Sequence, residues 1–271
     1  MIIMNKIKNI FLLLLIGVAL VYSCDDDNNT FPNPFLDINH EELAIKDNDS
    51  IVKFLQNNYY DVSVDSIKTL VAGEISLFDD TKLKSISVLE NNIDHTLYVY
   101  TIEEGQPSPA KGNPTVMDSV YVKYSGRAFL ESDISTSNFD INETGIWFTL
   151  SAVVKGWKFG ISNFLSGELK KDSSGGVFNG PITYLNTGKG FLFIPSGLGY
   201  PSSNAANYSR SLVDTNLLFY IDLLEIVEDT DHDNDGVPSI QEDADGDGDP
   251  TNDFSDNSKP TVPDYLNPNI N

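Results

Sequence analysis

Hydrophobic residues change their spacing along this chain, and each spacing predicts a different kind of element. Between residues 41 and 57 they recur at helical intervals, which predicts an α-helix. From His95 onward they alternate with polar residues, which predicts β-strands, and the segment 159–165 predicts one short helix. The predicted strands cover 96–102, 118–124, 190–194 and 217–226.

These elements predict an α+β fold in which an antiparallel sheet wraps around a short helix. We expect the sheet within residues 95–228. The preceding segment, 41–94, combines the first helix with short alternating runs, and we expect an accessory α+β piece of unassigned role. Segments rich in Gly, Ser and Asn, at 170–187 and 201–212, predict surface loops.

The first residues have the pattern of an export signal. Lys6 and Lys8 precede an apolar run over 10–22, about half the ~20 residues that span a bilayer, which is typical of a signal peptide. Cys24 follows, and the arrangement resembles a bacterial lipoprotein signal. The resemblance implies removal of residues 1–23, acylation of Cys24 and a place in the bacterial cell envelope, with the outer membrane favoured. Ordinary secretion with an incidental cysteine is the alternative.

Cys24 is the only cysteine in the chain, so an intramolecular disulfide is excluded. Residues 24–40 are rich in Asp, Asn and Pro, which predicts a flexible tether. The membrane, reached through the lipid anchor, is therefore an expected partner.

Negative charge is concentrated at the end of the chain. The formal net charge is -23, and the segment 229–271 holds twelve Asp or Glu against one lysine, Lys259. With 17 Lys and Arg in all and no basic run beyond the N-terminus, nucleic acid is not expected as a partner. Divalent cations suit this tail better.

The spacing of acidic residues in this tail predicts a calcium loop over 231–242. Carboxylates stand at loop positions one, three and five, a glycine at six and a glutamate at twelve, and position seven would offer a backbone carbonyl. Oxygen donors on alternate residues suit a hard cation. The predicted ligands are Asp231, Asp233, Asp235, the Val237 carbonyl and Glu242.

A second acidic run repeats this alternation without a closing glutamate. Its predicted ligands are Asp243, Asp245, Asp247 and Asp249. Together the two runs resemble thrombospondin type 3 calcium repeats, so we expect a calcium-repeat tail over 229–271. The alternative is an unstructured acidic tail that only solvates the protein.

Three segments of the predicted sheet region, 153–157, 194–200 and 217–221, supply a tryptophan, a tyrosine and a phenylalanine beside aliphatic residues. None of them brings a nucleophile, a histidine or a cluster of metal ligands. If they converge, they form an apolar aromatic pocket. Such a pocket suits a reaction that depends on its environment rather than on acid, base or covalent chemistry.

These segments and three others resemble, in order, the motifs of the FKBP-type peptidyl-prolyl isomerases. The matching residues are 120–126, Phe139-Asp140, Phe148-Thr149-Leu150, 153–157, 194–200 and 218–224. They extend over about half of the chain. The resemblance implies an FKBP-like antiparallel sheet around a short helix and catalysis of X-Pro cis–trans isomerisation.

The resemblance also implies a role for individual residues. Trp157 would form the floor of a proline pocket, Tyr200 would offer its hydroxyl to a substrate carbonyl, and the Val154 amide would bind the carbonyl next to the proline. Asp140 would lie at the rim, bonded to Tyr124. The implied walls are Tyr124, Phe139, Val153, Val154 and Phe219, with Ile146 or Phe148 as a further wall.

Isomerisation requires rotation about an amide bond with a barrier of roughly 18–20 kcal/mol. The twisted bond is less polar than the planar amide, so an apolar site stabilises it and no proton need move. The interpretation therefore requires no cofactor for catalysis. The expected substrates are Pro-containing polypeptides of the cell envelope, and we expect a monomer.

Two departures from the family pattern qualify the activity. The chain inserts the loop 170–187, and the loop after Tyr200 lacks the aliphatic pair and proline that often cover the pocket, for which Leu212 and Val213 are candidate substitutes. A non-catalytic module that binds a peptide or partner on the same fold is therefore the alternative function. A third interpretation makes the tail the functional part and the domain a spacer.

Overall fold

A computed structural model describes residue 35, residues 37–130 and residues 133–270. It divides the chain into two units, Met1–Ile38 and Asn39–Asn271. The predicted signal peptide, Cys24 and most of the tether lie outside the described residues. In the described part of the chain, no helix has both the length and the apolar character needed to cross a membrane.

The predicted first helix is confirmed and begins one residue earlier, as α1 (His40–Asn57). Asn39 caps it: its side-chain oxygen accepts hydrogen bonds from the backbone amides of Glu41 (3.2 Å) and Glu42 (3.3 Å). These two acidic side chains also lie where the helix dipole favours negative charge. The buried face of α1 carries Asp47, Ile51, Phe54 and Leu55.

The remaining regular elements are mostly strands. They are β1 (Asn58–Asp61), β2 (Ser66–Thr69), β3 (Leu83–Glu90), β4 (Ile93–Glu103), β5 (Ser119–Leu130), β6 (Asp133–Ile134), β7 (Asp140–Thr149), helix α2 (Lys155–Ile161), β8 (Glu168–Leu169), β9 (Tyr184–Leu185), β10 (Gly188–Ile194) and β11 (Leu217–Val227). A seven-stranded antiparallel sheet has the order β3-β4-β10-β11-β5-β6, and β7 also pairs with β5. The predicted α+β class with an antiparallel sheet and few helices is therefore confirmed.

The central strands of this sheet are buried on both faces. In β10, Leu192 and Ile194 join the core beneath α2, whereas Phe191 and Phe193 join a second core with α1. Neighbouring strands follow the same alternation, because successive side chains of a strand point to opposite faces. Helices α1 and α2 therefore cover opposite faces of one sheet.

The sheet extends beyond the expected limits of 95–228. Strand β4 begins at Ile93 and pairs along its length with β3, which lies within the predicted accessory segment. The boundary predicted between residues 94 and 95 thus falls inside a strand. The alternation over 86–88, noted as a short run, belongs to the main sheet because β3 pairs with β4.

The second helix lies earlier than predicted, at 155–161 rather than 159–165. A side-chain carbon on Gly156 would lie 2.3 Å from Ile194, and one on Gly160 would lie 2.7 Å from Leu192. Two glycines one turn apart therefore let α2 approach β10 closely. Phe164, which the apolar spacing placed in the helix, lies beyond its end and fills the core.

The acidic tail folds as a series of turns with short 3-10 helices at Ser239–Gln241, Pro250–Asn252 and Asp264–Leu266. The backbone amide of Thr230 donates to Asp118 at 3.1 Å, which joins the start of the tail to the turn before β5. The inserted loop 170–187 follows β8 and contains β9, which pairs with β8, and its side chains Val177 and Ile182 are 93% and 83% exposed.

Candidate functional site

A cluster of aromatic rings, the candidate pocket, surrounds the indole of Trp157, which is 4% exposed. Three rings meet it edge to face: Tyr124 at 4.9 Å, Phe219 at 5.1 Å and Phe148 at 5.4 Å between centroids, with interplanar angles of 84°, 83° and 88°. This arrangement is the favoured geometry for aromatic pairs. Four elements, α2, β5, β7 and β11, thus converge on one side chain.

Phe139 and Gly126 continue this wall. The Phe139 ring lies 5.5 Å from Phe219 at an angle of 86°, and its backbone amide donates to the Gly126 carbonyl at 2.9 Å. A side-chain carbon on Gly126 would lie 2.6 Å from the Phe219 ring and 2.8 Å from Phe139. Glycine is therefore needed at this position so that both rings fit, a requirement that the sequence analysis missed.

Asp140 is exposed at the start of β7, and its carboxylate accepts a hydrogen bond from the Tyr124 hydroxyl at 3.0 Å. Burial, followed by the effect of this carboxylate, raises the pKa of Tyr124 to about 12. Tyr124 therefore remains a neutral donor throughout the physiological range.

The aliphatic residues and Tyr200 border the same pocket. Val153, Val154 and Tyr200 are half-buried and pack against the core that contains Trp157. Val154 caps α2, and its carbonyl accepts bonds from the amides of Trp157 (2.9 Å) and Lys158 (3.1 Å). The Tyr200 ring is covered on one face by the guanidinium of Arg210, 4.7 Å from its centroid.

The sequence left open whether Ile146 or Phe148 forms a further wall of the pocket. Phe148 contacts Trp157, whereas Ile146 is 38% exposed. Leu212, a candidate to replace the missing aliphatic pair, is half-buried against the same core.

The indole nitrogen of Trp157 is buried and finds no hydrogen-bond partner among the described residues. Buried donors in native proteins are nearly always bonded. An unpartnered donor in the floor of an aromatic pocket therefore favours a site that receives a ligand over an ordinary core.

A buried network outside the predicted site joins α1 to the segment before Tyr200. Asp47 accepts hydrogen bonds from the Ser196 amide (3.0 Å) and hydroxyl (2.5 Å), and burial raises the pKa of its carboxyl to about 6. The network was not predicted from the sequence. Its signal was a carboxylate spaced four residues from Ile51 on an otherwise apolar helical face.

In the tail, the loop 231–242 brings three of its acidic side chains together. The carboxylates of Asp231, Asp233 and Asp235 offer oxygens that all lie within 4.8 Å of one another. Asp231 accepts bonds from the amides of Asn234 (2.7 Å) and Gly236 (2.9 Å), and Gly236 has a φ of 101° that favours glycine.

Glu242, the predicted ligand at position twelve, is buried near this loop but is not among the three carboxylates that lie within 4.8 Å of one another. It is 5% exposed, and neither carboxylate oxygen has a hydrogen bond of ordinary geometry among the described residues. Burial and the three loop carboxylates raise the pKa of Glu242 to about 7. A buried carboxylate facing three others is costly unless a cation offsets the charge. The donor set, all oxygen, fits calcium.

The next loop repeats the hydrogen-bond pattern of the first. Asp243 accepts from the amides of Gly246 (2.9 Å) and Gly248 (2.8 Å), the positions equivalent to Asn234 and Gly236. In this loop the carboxylates that lie within 4.8 Å of one another belong to Asp243, Asp245 and Asp253. Asp253, which was not predicted, is 6% exposed and accepts a hydrogen bond from the Ala244 amide at 3.1 Å.

Asp249 does not join this cluster, contrary to the sequence-based expectation. Its carboxylate lies 2.6 Å from the ammonium group of Lys158, and both side chains are buried. Asp247 accepts a bond from the Asn252 side chain at 2.9 Å. The side chain at loop position seven thus leaves the loop and contacts helix α2.

No protein-family model matches the chain, and no curated protein matches it. Three solved structures illustrate partial similarity of fold. A peptidyl-prolyl cis-trans isomerase from Pseudomonas syringae pv. tomato aligns with a TM-score of 0.36 and 21% identity, over 55% of this chain and 84% of that one. FkpA from Escherichia coli aligns with a TM-score of 0.37 and 22% identity, over 55% of this chain and 53% of that one.

The N-terminal domain of FKBP42 from Arabidopsis thaliana aligns with a TM-score of 0.35 and 14% identity, over 54% of this chain and 93% of that one. The alignments cover about half of this chain. The case for a function therefore rests on the side chains of the pocket.

Proposed function

We propose that this chain is a peptidyl-prolyl cis–trans isomerase with an FKBP-like fold. The observation that carries the proposal is the aromatic pocket around Trp157, whose buried indole N–H has no partner among the described residues. The walls are apolar, and the nearby polar groups are few: the Tyr124–Asp140 pair, the Tyr200 hydroxyl and the Arg210 guanidinium over the Tyr200 ring. That composition suits an amide rotation rather than proton transfer.

In this mechanism the pocket stabilises the twisted X-Pro bond. The proline ring packs on the Trp157 indole and the rings of Phe148 and Phe219, which exclude water. Rotation breaks amide resonance and lowers the polarity of the bond, so the apolar walls favour the twisted state over the planar one. The peptide side turns while the ring is held.

Hydrogen bonds orient the substrate around the ring. The Val154 amide lies at the N-terminal end of α2, where backbone N–H groups have no intrahelical acceptor, and it would donate to the carbonyl next to the proline. The Tyr200 hydroxyl would donate to a second carbonyl. Asp140, bonded to Tyr124, would hold the rim and face the peptide.

An isomerisation assay on the chain from residue 24 onward tests the proposal. We expect the wild type to exceed the spontaneous rate for a Pro-containing peptide, and Trp157→Leu to lower kcat/KM at least about tenfold because the ring loses its floor. The matched control is Trp147→Leu, since Trp147 is 47% exposed and stacks on Tyr121 away from the pocket. A second variant, Asp140→Ala, tests whether the carboxylate at the rim of the pocket contributes to kcat/KM.

A wild-type rate equal to the spontaneous rate would contradict catalysis. If the same protein still bound a proline peptide, with the affinity lost in Trp157→Leu and kept in Trp147→Leu, the alternative of a non-catalytic binding module would stand. If the wild type neither catalysed isomerisation nor bound the peptide, the remaining interpretation would be that the tail carries the function and the domain is a spacer.

We also propose that the tail binds calcium, because three carboxylates of the loop lie within 4.8 Å of one another and their charges, with burial, raise the pKa of the buried Glu242 carboxyl. Asp231, Asp233, Asp235, the Val237 carbonyl and Glu242 would hold one ion, and Asp243, Asp245, Asp247 and Asp253 would hold another. Bound calcium neutralises these carboxylates and orders the loops.

Calorimetry on the chain from residue 24 onward should show saturable calcium binding. Asp233→Ala should weaken it, whereas Asp229→Asn, a control at an exposed residue outside both clusters, should leave it unchanged. A flat titration of the wild type would support the tail as a solvating segment.

We propose that the mature protein is a monomer held in the bacterial envelope by lipid on Cys24, where it meets exported polypeptides. Metabolic labelling with a fatty-acid analogue tests the anchor: wild type should be labelled and Cys24→Ser should not. Label-free protein in the soluble fraction would indicate ordinary secretion. The molecular mass of the mature chain in a sedimentation experiment tests whether it is a monomer.

A further inference from the structure

Asp47 is a buried carboxylate that the chemistry of the pocket does not use. It lies on α1, is 6% exposed, and accepts both the amide and the hydroxyl hydrogen bond of Ser196. The Asn216 side chain completes the cluster: its oxygen accepts from the Ser196 amide at 2.9 Å, and its nitrogen donates to the backbone carbonyl of Asp47 at 3.2 Å, a bond that side-chain substitution leaves in place. One helical residue thus binds two distant segments.

These two segments carry two residues of the pocket. Ser196 begins the 3-10 turn Ser196–Leu198, four residues before Tyr200. Asn216 directly precedes β11, three residues before Phe219. The loop that joins them, 201–215, is the one that departs from the FKBP pattern. Asp47 therefore lies where this loop leaves and re-enters the sheet.

A second acidic residue closes the loop from within. Asp214 accepts the Ser202 amide at 2.7 Å, and its own amide donates to the Tyr200 carbonyl at 3.1 Å. This pair holds the loop ends to each other, whereas the Asp47 side chain bonds the Ser196 turn to α1, and the backbone amide of Phe129 in β5 donates to the Asn216 carbonyl at 2.9 Å. Because a carboxylate accepts without donating, it can bond both donors of Ser196 at once.

We propose that Asp47 is a positioning residue for the isomerase site, which holds the Ser196 turn and the start of β11 so that Tyr200 and Phe219 face one pocket. This rests on the proposed function. It assigns a role to the helix of the segment 41–94: α1 supports the substrate loop from the opposite face of the sheet.

Substitution of Asp47 tests the proposal in the chain from residue 24 onward. Asp47→Ala removes the acceptor, Asp47→Asn keeps the shape with a weaker acceptor, and Ser196→Ala removes one of the two donors. The matched control is Asp49→Asn, the same chemical change at an exposed position of the same helix. Unfolding by urea first establishes which variants fold cooperatively.

Two measurements are made on each folded variant. The first is kcat/KM for a Pro-containing peptide, which should fall between about tenfold and a hundredfold in Asp47→Ala, less in Asp47→Asn and Ser196→Ala, and not in Asp49→Asn. The second is amide hydrogen exchange at Gly199 and Ser202, which donate within the turn and the loop. Exchange there should accelerate in the same order.

Unchanged kcat/KM and unchanged exchange at both amides in folded Asp47→Ala or Asp47→Asn would overturn the proposal, even if stability fell. A wild-type protein without isomerase activity would count against the proposed function, but the exchange measurement would still decide whether Asp47 holds the loop. If Asp47→Ala does not fold, Asp47→Asn and Ser196→Ala carry the test.

Discussion

The ammonium group of Lys158 lies 2.6 Å from a carboxylate oxygen of Asp249, and the two side chains are 3% and 6% exposed. Lys158 follows Trp157 in helix α2, and Asp249 belongs to the second acidic loop of the tail. Thr251 accepts a further bond from Lys158 at 2.9 Å. Burial lowers the pKa of Lys158, and the Asp249 bond opposes this effect. The tail is therefore packed on the helix that forms the pocket floor.

Asp249→Ala should destabilise the protein strongly, because it leaves the Lys158 ammonium buried without its carboxylate. We expect the free energy of unfolding to fall by about 3–5 kcal/mol. The control is Glu103→Ala at the pair between Lys189 and Glu103, where Glu103 is 55% exposed and the loss should be under ~1 kcal/mol. Urea unfolding at pH 7 measures both, and equally small losses would show that the tail is not seated on α2.

Stability should fall as the pH rises from about 4 to about 6, because of Asp47. Burial raises its pKa from 3.8 to about 6, so the folded state holds the proton more tightly than the unfolded state in this window. The stabilisation is complete below pH 4 and lost above pH 6, and it amounts to about 3 kcal/mol. Asp214 also raises this pKa and Lys46 lowers it.

Urea unfolding at several pH values measures this slope. In Asp47→Asn, the part of the pH dependence of stability that Asp47 causes should be absent. In Asp49→Asn it should remain. A cavity beside Asp47 is also lined by three other titratable residues, which are His40, Glu90 and His95. Equal slopes in wild type and Asp47→Asn would assign the pH dependence to those groups instead.

Calcium should raise the melting temperature of the protein, because an ion that binds only the folded tail stabilises it by mass action. At a free concentration one hundred times Kd the gain is about 2.7 kcal/mol. Glu242→Gln should reduce the shift, since it removes the buried charge that faces the loop, whereas Asp229→Asn should not. Calorimetric melts with and without calcium decide this, and an equal shift in all three proteins would place the ion elsewhere.

Gly126→Ala should disturb the pocket without touching a polar group. Its added carbon would lie 2.6 Å from Phe219 and 2.8 Å from Phe139, so both rings must move, at a cost of about 1–3 kcal/mol. Isomerase activity should fall with it. Gly112→Ala is the control, because its nearest neighbour would be 3.8 Å away. Near-ultraviolet circular dichroism and kcat/KM should change only in the first variant.

Much of the sheet could be predicted from local spacing. Val120, Val122 and Tyr124 alternate with polar residues, and the structure buries all three on one face of β5. The helix over 41–57 was predicted in the same way. Spacing works here because a side chain's face follows from the period of its element alone.

The limits of helix α2 could not be predicted in this way. Apolar residues favoured 159–165, but the helix forms at 155–161, where Gly156 and Gly160 allow contact with β10. Glycine is a poor helix former by itself. Packing against the sheet outweighs that preference, and no local pattern reports it.

By itself, the sequence determined the α+β class, the strands and the acidic loop spacing, and the family resemblance selected aromatic residues that the structure gathers around Trp157. Tertiary structure decided that α1 and the tail pack with the sheet in one unit, through Asp47 with Ser196 and Lys158 with Asp249. These partners stand 149 and 91 residues apart. Periodicity assigns a residue to a face, but only the packed fold brings two faces together and buries the charges between them.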